Sequence, residues 1–170
     1  MTSSESGSVE NSTQREREQW LAFYLGTDDS TPRKGPKAPQ VRVRWSSMKG
    51  ASLAAFVEAG LSVDTAESLR QRTHMTVKGF GRFIPRSTLQ SKRKSDQRLS
   101  TEQSDRIMRI AEVYAHAATV FGDSDRAERW MKRTNPQMPD ERTPEEMLEH
   151  SYGARLVDEV LTQLEHGVPA

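Results

Sequence analysis

The spacing of apolar residues in the last third of the chain constrains its fold more than any other feature. They recur at intervals of three and four, which places them on one face of an α-helix: Ile107, Ile110, Tyr114, Ala117 and Phe121. Ser100 and Gln103 precede this stripe with the spacing of a capping box, and Gly122 is a typical helix-ending residue. The stripe fits the core of a small helical bundle, the seam of a dimer, or both together.

Three shorter helical patterns follow, the first two behind capping residues. The first begins after Asp123, the second at Thr143, which forms a capping box with Glu146, and the third at Ser151, ending at Gly167. The side chains expected to point inward are Ala127, Trp130 and Met131 in the first, Met147 and Leu148 in the second, and Ala154, Val157, Val160, Leu161 and Leu164 in the third.

Helical segments are also predicted upstream, over residues 48–60, 62–73, 76–84 and 85–94. Gly79 and Gly81 weaken the third, because each glycine costs about 0.5–1 kcal/mol inside a helix. The fourth has Pro85 at its start and Leu89 as its single apolar anchor among basic residues. The other side chains expected to face a core are Leu53, Phe56, Val57, Ala66, Leu69, Phe80, Phe83 and Ile84.

The first 45 residues are poor in apolar side chains. We expect residues 1–13 to be disordered and residues 14–25 to form a short helix. Residues 26–40 carry three prolines and read as a basic linker. Residues 41–45 alternate with period two and fit either a strand or an extended arm that buries Trp45; we favour the arm, because a single strand has no partner here. The helix would pack through Trp20, Leu21, Tyr24 and Leu25.

Composition excludes several classes of protein. No apolar run approaches the ~18–20 residues that a membrane span needs, and the polar first thirty residues do not resemble a secretory signal. The absence of cysteine removes disulfides, thiolate zinc sites and cysteine nucleophiles. We therefore expect a cytoplasmic protein.

The charge is distributed unevenly along the chain. Residues 33–98 hold fifteen basic and four acidic side chains, whereas residues 1–32 hold two basic and six acidic, and residues 99–170 hold eight basic and fourteen acidic. The basic middle suits a polyanion such as nucleic acid, because each cation that meets a phosphate releases counterions. The acidic ends require a different partner.

No constellation of side chains indicates catalysis. The four histidines, His74, His116, His150 and His166, lack metal-ligand spacing, and no nucleophile is paired with a base. Acidic residues of the last third fall at exposed helix positions and caps. We predict that the protein is not an enzyme and needs neither a metal nor a cofactor.

Residues 76–84 and 85–94 together have the layout of a helix-turn-helix, whose second helix enters the major groove of DNA. Leu89 would pack inward, and the polar residues of the second helix would face outward. The alternative is a solvated basic surface without a ligand. The candidate DNA-binding residues are Arg86, Ser87, Thr88, Gln90, Lys92 and Arg93.

Short motifs then occur in a fixed order over residues 99–170. They are Leu99, Ser100, Ser104, Asp105 and Arg106; Val120, Phe121 and Gly122; Trp130, Asn135 and Pro136; Arg142, Thr143 and Pro144; Gly153, Ala154 and Arg155; and Glu165, His166 and Gly167. In this order the segment resembles the Xre/MbcA/ParS family of bacterial antitoxins, the partners of RES-domain toxins. Upstream, Pro85, Arg86, Thr88 and Leu89 match the family's helix-turn-helix element.

The resemblance implies an all-α antitoxin of a type II toxin–antitoxin system. Residues 1–45 would be a disordered or extended segment, residues 46–98 a helix-turn-helix-like DNA-binding region, and residues 99–170 a small toxin-binding domain. The toxin would be an NAD-consuming RES-domain enzyme that the antitoxin blocks, and the antitoxin, as a homodimer in the complex, would bind operator DNA and repress its own operon. The implied toxin-binding residues are Arg142, Arg155, Glu165, His166, Gly167, Val168, Pro169 and Ala170. The main alternative is a DNA-binding transcriptional regulator without a toxin partner.

Overall fold

A computed structural model of the protein describes residues 3–27 and 51–167, and in these two ranges every regular element is helical. The fold is all-α, as the sequence predicts. A single 3-10 turn, Pro139–Glu141, lies between α7 and α8. The α-helices are α1 (Ser3–Tyr24), α2 (Ala51–Glu58), α3 (Val63–Arg72), α4 (Val77–Phe80), α5 (Arg86–Lys94), α6 (Thr101–Phe121), α7 (Ser124–Met131), α8 (Pro144–Met147) and α9 (Ser151–Glu165).

The long helix α6 is the centre of the fold. It packs against α1 on one side and against α7 and α9 on others, so most of its length is enclosed. Ile107, Tyr114 and Ala117 are fully buried, and Phe121 at the helix end is half-buried. The apolar stripe of α6 is therefore the core of the bundle, which is one of the arrangements that its spacing allows.

The helix ends follow the capping residues seen in the sequence. Ser100 and Thr143 each form a complete capping box, with Gln103 and Glu146 respectively, and Asp123 accepts from the backbone at the start of α7. Gly122 ends α6 in the left-handed conformation, with φ of 67°. These predictions are confirmed because a cap joins residues only two or three positions apart, so its geometry is set locally.

The N-terminal helix is longer than expected. The structure places α1 from Ser3, whereas the sequence predicts disorder over residues 1–13. Tyr24 and Leu25 anchor its end in the core, with 1% of their surface exposed. Helix propagation adds one hydrogen bond for each residue fixed once a packed turn exists, so the polar segment continues the anchored helix. The predicted arm over residues 41–45 lies outside the described residues.

The segment that carries Gly79 and Gly81 forms a single helical turn. Thr76 caps α4 by accepting from the backbone N–H of Gly79 at 3.0 Å, and the helix ends one residue later. Phe80, Phe83 and Ile84 are nevertheless buried, as predicted, because each is 1% exposed. The two glycines thus shorten α4 without removing its apolar face from the core.

Trp130 is less buried than the sequence suggests. Ala127 and Met131 have no exposed surface, whereas Trp130 is half-buried, its ring centroid 5.7 Å from that of Phe121. Trp130 does pack against the core, as its predicted inward position requires, but Ala127 and Met131 are more completely covered. No helix within residues 3–27 and 51–167 is long and apolar enough to cross a bilayer.

Candidate functional site

Two contacts from α6 hold the upstream helices in place, one at the connection between α4 and α5 and one at the connection between α2 and α3. Arg106 donates to the carbonyl of Phe83 at 2.7 Å, directly between α4 and α5. Ser104, which is fully buried, accepts from the backbone N–H of Leu61 at 2.8 Å. Both residues belong to the Ser-Asp-Arg motif of the sequence, and this motif therefore fastens the upstream helices to the central one.

The helix α5 presents a polar, basic surface. Arg86, Ser87, Gln90 and Arg93 are exposed, as expected of an outward face, and Leu89 is half-buried beneath them. Thr88 and Lys92 are half-buried. The helix begins after Pro85 and has three cations in its last turn, Lys92, Arg93 and Lys94.

Two of these cations already have intramolecular partners. Arg93 Nη2 lies 3.0 Å from Asp64 Oδ1 of α3, and Lys92 Nζ donates to the carbonyl of Arg98 at 2.8 Å. Arg86 makes no side-chain hydrogen bond or ion pair to the described residues. Arg86, at the first position of α5, is thus free to meet a ligand, as is Lys94 at the other end of the helix.

The end of α9 is the second candidate surface. Glu165, His166 and Gly167 are exposed, and Gly167 has a φ of 74°, which ends the helix. Glu165 Oε2 lies 3.3 Å from His116 Nε2, so this carboxylate contacts α6 as well as solvent. Val168, Pro169 and Ala170 lie outside the described residues.

Arg142 and Arg155 are separate from this end. Arg155 is exposed near the start of α9, 3.5 Å from Glu159, and its guanidinium lies 5.7 Å from the ring centroid of Tyr152. Ten residues separate Arg155 from Glu165, which is about 15 Å along a helix. Arg142 is half-buried just before α8. The structure therefore spreads the predicted toxin-binding residues over a long surface instead of one pocket.

A buried histidine forms a charged cluster that the sequence did not reveal. His116 of α6 is 1% exposed, and its Nδ1 lies 2.6 Å from Asp158 Oδ1 of α9. The same carboxylate oxygen accepts from Arg17 of α1 at 2.9 Å. The hydrogen bond from His116, aided by the charge of Arg17, holds the pKa of Asp158 below its ordinary value against the effect of burial. Since α6, α9 and α1 are far apart in the chain, no local pattern points to this cluster.

The cluster does not have the composition of a metal site. Within the described residues, no group of three histidine or acidic side chains is arranged to hold a metal ion.

Comparison with known proteins assigns both halves of the chain. Residues 52–112 match the family model for the antitoxin Xre-like helix-turn-helix domain, and residues 116–167 match that for the antitoxin Xre/MbcA/ParS C-terminal toxin-binding domain. A protein named "Antitoxin Xre" from Yersinia enterocolitica is 31% identical over 139 residues, which cover 77% of this chain and 93% of the relative. The chain belongs to the Xre/MbcA/ParS family of antitoxins.

Two further relatives agree with this assignment. The "Antitoxin Xre" of Pseudomonas putida is 34% identical over 112 residues, covering 64% of this chain and 67% of the relative. That of Photorhabdus laumondii is 31% identical over 132 residues, covering 74% and 86%. The antitoxin therefore combines a helix-turn-helix domain with a toxin-binding domain, which implies both DNA and a toxin as partners.

The two matched segments meet inside α6. The helix-turn-helix match ends at residue 112 and the toxin-binding match begins at residue 116, so the central helix of the antitoxin contributes to both. The proposed domain boundary between residues 98 and 99 stays a prediction. Helix α1 lies outside both matched segments.

Proposed function

We propose that this antitoxin binds and inhibits a RES-type toxin that consumes NAD, through its α8–α9 surface and the end of α9. The observation that carries the proposal is the match of residues 116–167 to a toxin-binding domain, combined with the exposed end of α9 at Glu165, His166 and Gly167. The RES identity rests on the resemblance to antitoxins whose partners are RES-domain toxins. This match disfavours the alternative of a regulator without a toxin.

In this proposal the block has two parts. The body of the domain, with Arg142 and Arg155, docks on the toxin, and the segment after α9 covers the NAD pocket. Arg155 and the exposed ring of Tyr152 are of the residue types that are enriched where protein interfaces are strongest. Pro169 restricts the chain after α9, which reduces the entropy lost on docking.

The experiment separates docking from the covering of the pocket. The toxin encoded by a neighbouring gene is assayed for NAD turnover alone, with the full-length antitoxin and with an antitoxin that lacks residues 166–170. Each pair is also tested for binding by pull-down. The proposal expects the truncated antitoxin to bind the toxin while NAD turnover returns.

The matched control is Gln163→Ala, which changes an exposed residue of α9 and should inhibit like the wild type. Full inhibition by the truncated antitoxin would place the block in the body of the domain. A full-length antitoxin that neither binds nor inhibits the toxin would refute the RES assignment.

We propose further that α4 and α5 bind operator DNA and that the antitoxin, as a homodimer, represses its own operon. The match of residues 52–112 to a helix-turn-helix domain supports this, as does the exposed face of α5 with Arg86 at its first turn. In such motifs the first residues of the second helix contact base edges, and a dimer reads two half-sites. The remaining members of the DNA-binding set are Ser87, Thr88, Gln90, Lys92 and Arg93.

A further inference from the structure

Helix α1 is fastened to both halves of the antitoxin although it matches neither family model. At its end, the ring of Tyr24 lies 5.5 Å from that of Tyr114 of α6, and both side chains are buried. Arg72 of α3 donates to the carbonyl of Phe23 and places its guanidinium 4.3 Å from the centroid of the Phe23 ring. The carboxyl end of α1 is therefore held in the core and against the helix-turn-helix side.

The middle of α1 reaches the opposite side, at α9. Arg17 Nη2 lies 2.9 Å from Asp158 Oδ1, and that oxygen lies 2.6 Å from His116 Nδ1. The other ring nitrogen of His116 lies 3.3 Å from Glu165 Oε2. These contacts form a continuous path from α1, through α9 and α6, to the last residue of α9.

At the surface, α1 and the end of α9 also lie side by side. Thr13, Gln14 and Arg17 of α1 line one groove together with Glu165 and His166 at the end of α9, and His116 and Thr119 of α6 complete its lining. Helix α1 thus borders the very end of α9 that the proposed function assigns to toxin contact.

We propose that α1 is a clamp that positions the toxin-contacting end of α9, with Arg17 and Asp158 as its positioning residues. The inference rests on the proposed function for the role of that end, and on the contact path alone for the positioning. Without α1, Asp158 loses its arginine partner. His116 would then be the polar side chain of α6 that still contacts Asp158 and Glu165, beside the apolar packing of α9 on α6.

The first test measures the position of the α9 end without the toxin. Because the chain has no cysteine, Glu102→Cys and His166→Cys introduce the only two labelling sites, both exposed, one on α6 and one at the end of α9. Pulsed electron paramagnetic resonance on spin-labelled protein gives the distribution of distances between them. The clamp predicts a narrow distribution that broadens in Arg17→Ala and is restored in Arg17→Lys.

The control is Arg15→Ala, which removes a neighbouring exposed arginine of α1 that has no side-chain partner among the described residues. It should leave the distribution narrow. An equally narrow distribution in Arg17→Ala and in Asp158→Ala would overturn the clamp.

The second test asks whether the positioning matters for inhibition. In the NAD-turnover assay, at a temperature where all variants are folded by circular dichroism, Arg17→Ala should raise the half-inhibitory antitoxin concentration by about fivefold, as expected for loss of a partly exposed ion pair. Arg17→Lys and Arg15→Ala should match the wild type. A wild-type value for Arg17→Ala would overturn the role in inhibition. If the wild-type antitoxin itself fails to inhibit, the proposed function fails, and the distance measurement still decides the clamp.

Discussion

Tyr114 of α6 donates a hydrogen bond to Glu145 Oε2 of α8 across 2.7 Å, from a side chain with no exposed surface. This bond joins the central helix to the short helix that precedes α9. Because the acceptor is a carboxylate, the bond belongs to the stronger class of hydrogen bonds in proteins.

Removing this hydroxyl should destabilise the antitoxin. We expect Tyr114→Phe to lower the free energy of unfolding by about 1.5–3 kcal/mol, the range for hydrogen bonds to charged groups. Urea unfolding followed by circular dichroism measures the change. Tyr152→Phe, at a tyrosine that is 67% exposed, is the control and should alter stability by less than about 0.5 kcal/mol. Equal effects of the two substitutions would show that the bond to Glu145 contributes nothing.

The buried tyrosines predict a loss of stability in alkali. Burial, and after it the charge of Glu145, raises the pKa of Tyr114, and burial also raises the pKa of Tyr24. A raised pKa in the folded state gives stability that is complete below the ordinary tyrosine value of about 10 and is lost as the pH rises above it. The double variant Tyr24→Phe/Tyr114→Phe should therefore lose less stability than the wild type between about pH 8 and about pH 11. An equal loss of unfolding free energy in the wild type and in the double variant between these two pH values would contradict this.

The lowered pKa of Asp158 predicts that the stability of the antitoxin falls in acid. The pKa of Asp158 is lowered chiefly by the hydrogen bond from His116, so its contribution to stability is present above the ordinary aspartate value of about 4 and is lost as the pH falls below it. Asp158→Ala should be less stable than the wild type at neutral pH, and the difference should shrink in acid. Glu159→Ala, at the adjacent exposed position, is the control. A difference that stays constant down to about pH 3 would show that Asp158 is not the titrating group.

Gly153 predicts a steric effect at the crossing of α8 and α9. A Cβ at this position would lie 2.1 Å from the carbonyl oxygen of Met147. Because this oxygen belongs to the backbone, the clash could be relieved only by shifting α8 against α9, which costs free energy. We expect Gly153→Ala to destabilise by at least about 2 kcal/mol, as overpacking of a core does. At Gly122 a Cβ meets nothing within 4 Å, so Gly122→Ala should cost only about 1 kcal/mol for its left-handed backbone. A smaller effect at Gly153 than at Gly122 would contradict the close approach.

The DNA interface predicts a change in salt dependence. We expect the exposed guanidinium of Arg86 to meet a phosphate beside the base-contacting residues of α5, so Arg86→Ala should weaken operator binding and reduce the slope of log K against log salt by about one unit. Arg93→Ala should have a smaller effect, since Asp64 already holds Arg93. Gel shifts across a salt series measure both, with Arg129→Ala of α7 as the control. An unchanged slope for Arg86→Ala would refute α5 as the DNA-binding helix. A slope that instead changes on substitution of Arg42 and Arg44 would assign DNA binding to the predicted arm over residues 41–45.

The helices of the antitoxin were largely readable from its sequence, and particular residues show why. Ser100 pairs with Gln103 and Thr143 with Glu146, each three residues apart, so the chain itself brings the partners together. Trp130 shows where this stops. The helical pattern places Trp130 on the same face as Ala127. How much of the indole is covered depends on the angle at which α7 lies on α6, which the pattern does not give.

The sequence alone determined the all-α fold, the family and the exposed basic face of α5, because these follow from periodicity, caps and motifs within a few turns. Only the tertiary structure decided that α1 runs from Ser3 and that Arg17, His116 and Asp158 meet. His116 and Asp158 are 42 residues apart and Arg17 and Asp158 are 141 apart. Contacts at such separations depend on how α1 and α9 pack around α6, and no local preference of the backbone records that packing.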